Sequence, residues 1–280
     1  MGSSIWWSDF FGGWVGGCMG ILIGQPFDTI KVRQQAFQNS SIIFQTKNLI
    51  TNEGHRSFFR GMTFPLIFVG AQNSLFFGFY GIAKDLNGVQ DMNKYLKAFT
   101  CGCLGGVGQL VVSCPVDLVK IKMQVQKDNK TYQGSFNVAR RIYKHHGFRG
   151  LFHGFGIVSL RDVVSYGLYM STYTWLTDKM SIQNETVNTF IAGGIAGWIS
   201  WASILPFDVV KSKLQADCYY FPKYRGISHC AMDIFRNGGL KAFSRGFLTI
   251  SVRSFPVNGF TFIGYEYTMK LCHRLKELNL

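Results

Sequence analysis

The chain has 280 residues and a formal net charge of +14, from 29 Lys and Arg against 15 Asp and Glu. So basic a chain invites a nucleic-acid reading, but it holds no Lys/Arg-rich block, and its aromatic residues are spread through apolar runs. Seven cysteines at unpaired spacings exclude a disulfide scaffold and carry no metal signature: Cys101 and Cys103 are two apart and point to different sides of a helix.

Taken in chain order, the predicted elements alternate between long apolar and short amphipathic helices. Residues 10–27, 62–83, 98–116 and 186–207 contain no Asp, Glu, Lys or Arg, and each approaches the roughly 20 residues needed to cross a bilayer. Gly150–Thr177 and Gly246–Tyr265 complete a set of six, interrupted only by Arg161-Asp162 and by Arg253. Short amphipathic helices are expected at Ile42–Asn52, Phe136–His145 and Ser228–Asn237. A mean hydropathy of only +0.10 is low for six helices greased on all sides. It fits helices with one face on lipid and a polar face on a watery cavity; a soluble bundle of six buried helices is the lesser reading, because six runs of this length carry so few charges. Twenty of the 29 bases lie in 29–62, 118–154 and 209–247, which is the asymmetry of the positive-inside rule. No removable signal peptide is expected, because no basic region followed by a short apolar core and cleavage site opens the chain. Trp6 stands where a myristoylation signal needs Ser or Thr. Asn39, Asn129 and Asn184 head Asn-x-Ser/Thr triplets of the kind that arise by chance at this length.

A repeat underlies this order. "PFDTIK" at Pro26, "PVDLVK" at Pro115 and "PFDVVK" at Pro206 lie 89 and 91 residues apart, so the chain reads as one domain of three tandem units, roughly 5–90, 91–182 and 183–280. In each, proline removes a helical hydrogen bond and bends its helix. Asp and Lys three residues apart share one face of that helix. Charges facing hydrocarbon cost at least ~2.5–3.5 kcal/mol each, so Asp28, Lys31, Asp117, Lys120, Asp208 and Lys211 are expected to face the centre. There each Asp can reach the Lys of a neighbouring repeat, either as a gate or as a static ionic collar.

The pattern P-x-[DE]-x-x-[KR]-x-[KR]-x-Q followed by [DE]-G-x-x-x-x-aromatic-[KR]-G resembles the mitochondrial carrier family. Its first half is complete in all three repeats. Its second half is complete at Glu53-Gly54…Phe59-Arg60-Gly61 and looser at His146-Gly147…His153-Gly154 and Gly238-Gly239…Arg245-Gly246. The resemblance implies an all-α, threefold pseudosymmetric carrier of six transmembrane helices, multi-pass in the mitochondrial inner membrane, monomeric and without a cofactor, with both termini toward the intermembrane space. It implies a matrix-side network of Asp28–Lys120, Asp117–Lys211 and Asp208–Lys31, braced by Gln35, Gln124 and Gln215. It implies a cytoplasmic network reduced to Glu266–Lys84, since Gly81, Thr174, Thr177 and Met269 replace its other members. Gly61, Gly154 and Gly246 at helix starts, with Gly134 and Gly226 of Tyr132-Gln-Gly134 and Tyr224-Arg-Gly226, resemble the family's cardiolipin sites, and helix N-termini attract phosphate.

Three charges inside the predicted membrane belong to neither network: Arg161, Asp162 and Arg253. Arg161 follows Gly154 by seven residues, as Arg253 follows Gly246, and Phe68 takes that place in the first repeat. Intramembrane charges are functional candidates; the plainer alternative is that Arg161 pairs with a carbonyl or with Asp162. Arg suits a carboxylate through its fork, and Asp suits an ammonium. The Arg-Asp pair resembles the amino-acid-type contact point of the family. "RSFPVNGFTFIGYE" from Arg253 resembles the ornithine and carnitine/acylcarnitine branch, and "AQNSLFFG" from Ala71 the basic amino-acid carriers, with Gln72 in place of Glu. The expectation is a carrier of an amino acid or amino-acid-derived zwitterion, basic amino acids first and carnitine-like methylated amines second. A proton leak through the same fold is the alternative of another class. A membrane enzyme is not expected, because six scattered histidines build no catalytic constellation.

Overall fold

The computed structural model describes residues 3–37, 41–126, 133–180, 185–218 and 222–278; Asn39, Asn129, Asn184 and Tyr132 lie outside them. Among the described residues six helices are long: α1 (Ser3–Ala36), α3 (Thr63–Asp85), α4 (Lys94–Val125), α6 (Phe155–Lys179), α7 (Glu185–Ala216) and α9 (Phe247–Leu278). A shorter helix lies within each repeat, α2 (Ile42–Asn48), α5 (Ser135–Leu151) and α8 (Ile227–Gly238), and a single helical turn, Asn87–Gln90, links α3 to α4. Each repeat is therefore long helix, short helix, long helix. The long helices outrun the charge-free stretches because α1, α4 and α7 continue through Pro26, Pro115 and Pro206 into their basic ends. Asn93 starts α4, its side chain accepting from the Tyr95 amide at 3.1 Å.

The backbone repeats as the sequence does. Gly54, Gly147 and Gly239 take φ of 76°, 63° and 59°, and Gly61, Gly154 and Gly246 take 79°, 77° and 91°. These are left-handed values that a side chain resists, so each short helix ends and each second long helix starts on a glycine turn. In α5 the expected end near His145 is marked by Gly147, across which two helical pieces follow one another. In the first repeat α2 stops at Asn48 and a wider turn, Leu49–Glu53, takes over.

The six long helices close into a ring in which α1, α3, α4, α6, α7 and α9 each pack against the next, and α9 against α1. The prolines lie where α1, α4 and α7 also touch one another, so these three converge at one end; among the described residues α3, α6 and α9 make no contact of that extent. Among the described residues three continuous helical stretches, His55–Asp85, Lys94–Val125 and Val187–Ala216, are long and apolar enough to cross a membrane. α6 and α9 are interrupted by their charges, which face the interior. The short helices cap the convergent end. Val138 and Ile142 of α5 are buried against Val119 and Phe64, and Ile234 of α8 against Val209 and Val210.

Lipid supplies no hydrophobic drive for helix pairing, so close backbone approach has to do that work. Gly12, Gly16, Gly20 and Gly24 form one stripe of α1 against α9: a methyl on Gly16 would stand 2.6 Å from the Thr261 carbonyl oxygen. Gly102 and Gly106 serve the α4–α6 contact, where a methyl on Gly102 would stand 2.5 Å from the Tyr166 carbonyl. Gly13, one residue from the stripe, meets nothing within 4 Å. Gly16→Ala is thus expected to lower stability by about 1–3 kcal/mol as the helices are forced apart, read as a fall in the thermal unfolding temperature of the purified protein, whereas Gly13→Ala should leave it unchanged.

Candidate substrate cavity and ion-pair ring

The ring of helices encloses a cavity of about 470 Å³. Its wall takes Gln72 from α3, Ser113 from α4, Arg161 and Asp162 from α6, Trp201 from α7 and Arg253 from α9. Its floor is the convergent end, where the proline segments bring six charges together. Lys120 lies 2.6 Å from Asp28, Lys31 lies 2.8 Å from Asp208, and Lys211 bonds Asp117. Every pair joins two repeats. Lys31 and Asp208 are nearly sealed, at 7% and 4% side-chain exposure, while Asp28 and Lys120 keep 16% and 17%. Such pairs give up hydration to form, so the ring is held by far less than its Coulomb energy.

The three glutamines divide. Gln35 donates to Asp208 at 2.9 Å and to the Arg245 carbonyl, bracing the Lys31–Asp208 pair. Gln124 donates instead to the Thr29 hydroxyl at 3.2 Å and Gln215 to the His153 carbonyl at 3.2 Å, so neither amide nitrogen reaches an ion pair. The turn at Gly154 lies against Gln215, which puts the His153 carbonyl within reach of its amide.

The expectation that Arg161, Asp162 and Arg253 stand apart from the ring needs correction. Arg161 bonds Asp162, lies 2.9 Å from Asp117 and 3.4 Å from Asp208. Arg253 lies 2.7 Å from Asp28. Each ring aspartate therefore faces a lysine from the neighbouring repeat and an arginine from above. Asp162 is itself buried and accepts from Ser113 at 3.1 Å. The sequence reading missed Trp201, over whose ring three cations gather: Lys31 at 4.4 Å, Arg253 at 5.8 Å and Arg161 at 5.9 Å. Its indole face is the complement of a cation. A tryptophan five residues before the third proline was the available signal. In all, five cations and four carboxylates line the cavity, an excess of one positive charge.

The opposite end is not drawn together. Lys84 lies over the Tyr80 ring at 5.0 Å and Glu266 lies 3.7 Å from Lys270 on its own helix, so the Glu266–Lys84 pair is not formed. Thr174 and Thr177 turn their hydroxyls back onto carbonyls of α6. With α1, α4 and α7 gathered at the floor, α3 and α9 diverge at this end, and their charges find nearer partners.

Outside the membrane the repeats differ. In the first, Glu53 bonds Arg33, whose Nη2 is 2.8 Å from Oε2, and Arg60; both arginines also donate to the Gln126 carbonyl at 3.0 Å. In the second, His146 and His153 occupy the places of Glu53 and Arg60. Burial, and then the charge of nearby Lys122, push the His153 imidazole below its usual range. In the third, burial and a hydrogen bond to Asp233 raise the Tyr224 phenol to about 12, fixing the segment ahead of α8. Gly134, Gly154 and Gly226 are the residues just outside the N-termini of α5, α6 and α8, and Gly61 and Gly246 sit at the starts of α3 and α9. Phe64 meets Phe136 at 5.0 Å, which sets the starts of α3 and α5 side by side, as Ile227 against Gly156 does for α8 and α6.

Comparison with known proteins agrees with this architecture. The family model described as mitochondrial carrier protein matches residues 2–89, 91–184 and 182–276. The chain is 34% identical to solute carrier family 25 member 45 of Mus musculus, over 94% of this chain and 98% of that protein. It is 32% identical to solute carrier family 25 member 48 of Danio rerio, over 94% and 96%. It is 36% identical to the mitochondrial basic amino acids transporter of Homo sapiens, over 91% and 87%. A threefold repeat, a central polar cavity and a triple family match lead to one statement: the chain is a carrier rather than an enzyme, and it belongs to the mitochondrial carrier family.

Proposed function

We propose that the protein resides in the mitochondrial inner membrane as a monomer and moves an amino acid or amino-acid-derived zwitterion by alternating access. The observation that carries the reading is the convergence of Arg161, Asp162 and Arg253 on one cavity with an excess of one positive charge. A substrate carboxylate balances that excess, and a substrate ammonium has Asp162 to meet. A dicarboxylate or nucleotide would bring its further negative charge against four carboxylates. In this scheme the ring of Asp28, Asp117 and Asp208 with Lys31, Lys120 and Lys211 is the matrix gate, and Gln35, Gln124 and Gln215 stiffen its surroundings.

The arginines give the gate its trigger. A carboxylate that takes Arg161 or Arg253 removes a partner from Asp117, Asp208 or Asp28, so occupying the cavity weakens the floor. Lys84 and Glu266 would come together only when the opposite end closes. Cardiolipin is the proposed lipid partner, its phosphates at the helix starts marked by Gly61, Gly134, Gly154, Gly226 and Gly246.

Two substrate classes remain in order. Likeness to the human basic amino acids transporter supports basic amino acids. The positive excess, and Gln72 where an acid would hold a second ammonium, support a zwitterion without net charge, such as a carnitine-like methylated amine.

Reconstituted transport separates these. Asp162→Asn should cut uptake of amine-bearing zwitterions by roughly 10- to 100-fold, since a charge-assisted hydrogen bond nets about 1.5–3 kcal/mol, while a carboxylate without an amine loses no more than a few-fold. Unchanged zwitterion uptake would sink the assignment of Asp162. Gln72→Glu should raise uptake of lysine, arginine or ornithine relative to net-neutral zwitterions; an unaltered ratio would show that Gln72 does not read the side chain. Proton conductance in the same liposomes without labelled exchange would favour the leak reading instead.

A further inference from the structure

Arg161 and Asp162 are neighbours on α6, and neighbours on a helix point about 100° apart. Their side chains have nevertheless turned together. Arg161 Nε donates to Asp162 Oδ1 at 2.6 Å, and Nη2 bonds the same oxygen. These two nitrogens form an edge of the guanidinium that can take a carboxylate by parallel hydrogen bonds, so Asp162 fills a place that a substrate carboxylate needs. Nη2 also reaches Asp117 at 2.9 Å, and Nη1 reaches Asp208 at 3.4 Å. The other oxygen of Asp162 is held separately: the hydroxyl of Ser113 on α4, itself buried, donates to Oδ2 at 3.1 Å. Side-chain exposure is 11% for Arg161 and 6% for Asp162, so each charge relies on the partners beside it.

A zwitterion can replace this internal pair without leaving either charge alone. Its carboxylate takes the edge of Arg161, and its ammonium takes Oδ1 of Asp162. A carboxylate alone would leave Asp162 buried without that cation, and an amine alone would add a cation to a cavity that already holds one in excess. The exchange also fixes the head of the substrate. Nε and Oδ1 are in direct contact, so the incoming charges must lie close together, which an amine on the carbon that bears the carboxylate satisfies. The amine must carry N–H, because Oδ1 gives up two donors and a buried acceptor left without one is costly. Ser113 keeps the exchange possible. While Oδ1 changes partner, the bond to Oδ2 holds Asp162 against α4 instead of letting it follow the guanidinium.

We propose that the Arg161–Asp162 pair stands in for the substrate's head group, that an α-amino carboxylate enters by exchanging both charges at once, and that Ser113 is the positioning residue that keeps Asp162 in place for the ammonium. This rests on the zwitterion reading above and, of its two substrate classes, selects the amino acids. The empty cavity then discriminates through its own ion pair: a ligand that carries only one of the two charges must break the pair and can restore only half of it.

Titration calorimetry on the purified full chain tests this with 2-aminobutyrate, butyrate, propylamine and 4-aminobutyrate, which differ in the head charges they carry and in where they carry them. 2-Aminobutyrate is expected to bind roughly tenfold or more tightly than each of the others. In Asp162→Asn the edge of Arg161 is released, so butyrate should tighten about fivefold or more while 2-aminobutyrate falls to its level. Ser113→Ala should weaken 2-aminobutyrate roughly 5- to 30-fold and leave butyrate within about twofold. Ser113→Thr keeps the hydroxyl and should keep the wild-type ranking. Ser113→Ala moving both probes together would overturn the positioning role by showing a merely structural one. Butyrate or 4-aminobutyrate binding as tightly as 2-aminobutyrate, or butyrate binding indifferent to Asp162→Asn, would overturn the exchange. Should Asp162→Asn fail to fold, the wild-type ranking of the four probes decides alone. Uptake into liposomes separates the two readings: no uptake of 2-aminobutyrate or lysine, with butyrate binding still gained in Asp162→Asn, strikes at the zwitterion carrier, whereas uptake of 2-aminobutyrate with equal binding of butyrate strikes at the exchange.

Discussion

Everything at the floor of the cavity depends on the cost of burying charge. Five cations and four carboxylates sit where six apolar helices meet, and no member is tolerable there alone. That constraint explains why each of Asp28, Asp117 and Asp208 has two cations, why the lysines come from neighbouring repeats, and why Trp201 lies beneath Lys31, Arg161 and Arg253. In the proposed transport cycle, any group that claims one of its arginines leaves an aspartate underpaired. The account of transport follows from that single property.

Much of this was legible in the sequence because the physics is periodic. Proline with Asp and Lys three residues on, repeated at 89 and 91 residues, fixes three bent helices and the face their charges share. Charge-free runs located the helices, and the glycines of the second motif located their ends. What the sequence concealed was depth. Arg161 and Arg253 are spaced like cavity residues, and only the folded ring brings Asp28, Asp117 and Asp208 to meet them. Likewise Gln124 and Gln215 match Gln35 in register, yet the Gln124 amide goes to the Thr29 hydroxyl on α1 and the Gln215 amide to the His153 carbonyl. Trp201 passed as one more apolar residue, because a cation–ring contact leaves no spacing signature.

The repeats are alike in backbone and unlike in charge. The Arg33–Glu53–Arg60 cluster staples the first repeat to the end of α4, whereas His146 and His153 leave the second without an acid at that place. At the other end the acid–base pairs are almost gone, and aromatic rings line the space instead. The ion-pair network is thus complete at one end, while at the other Glu266 pairs only within its own helix.

The central claim is that ring aspartates are shared between lysines of the floor and arginines of the cavity. A double-mutant cycle on stability tests it: Asp28→Asn combined with Lys120→Gln, and Asp28→Asn combined with Arg253→Gln, each against its single variants. Partners in one network couple by about 0.5–3 kcal/mol. The account predicts such coupling in both cycles. Coupling to Lys120 with none to Arg253 would contradict it, because the arginine would then be a bystander to the ring.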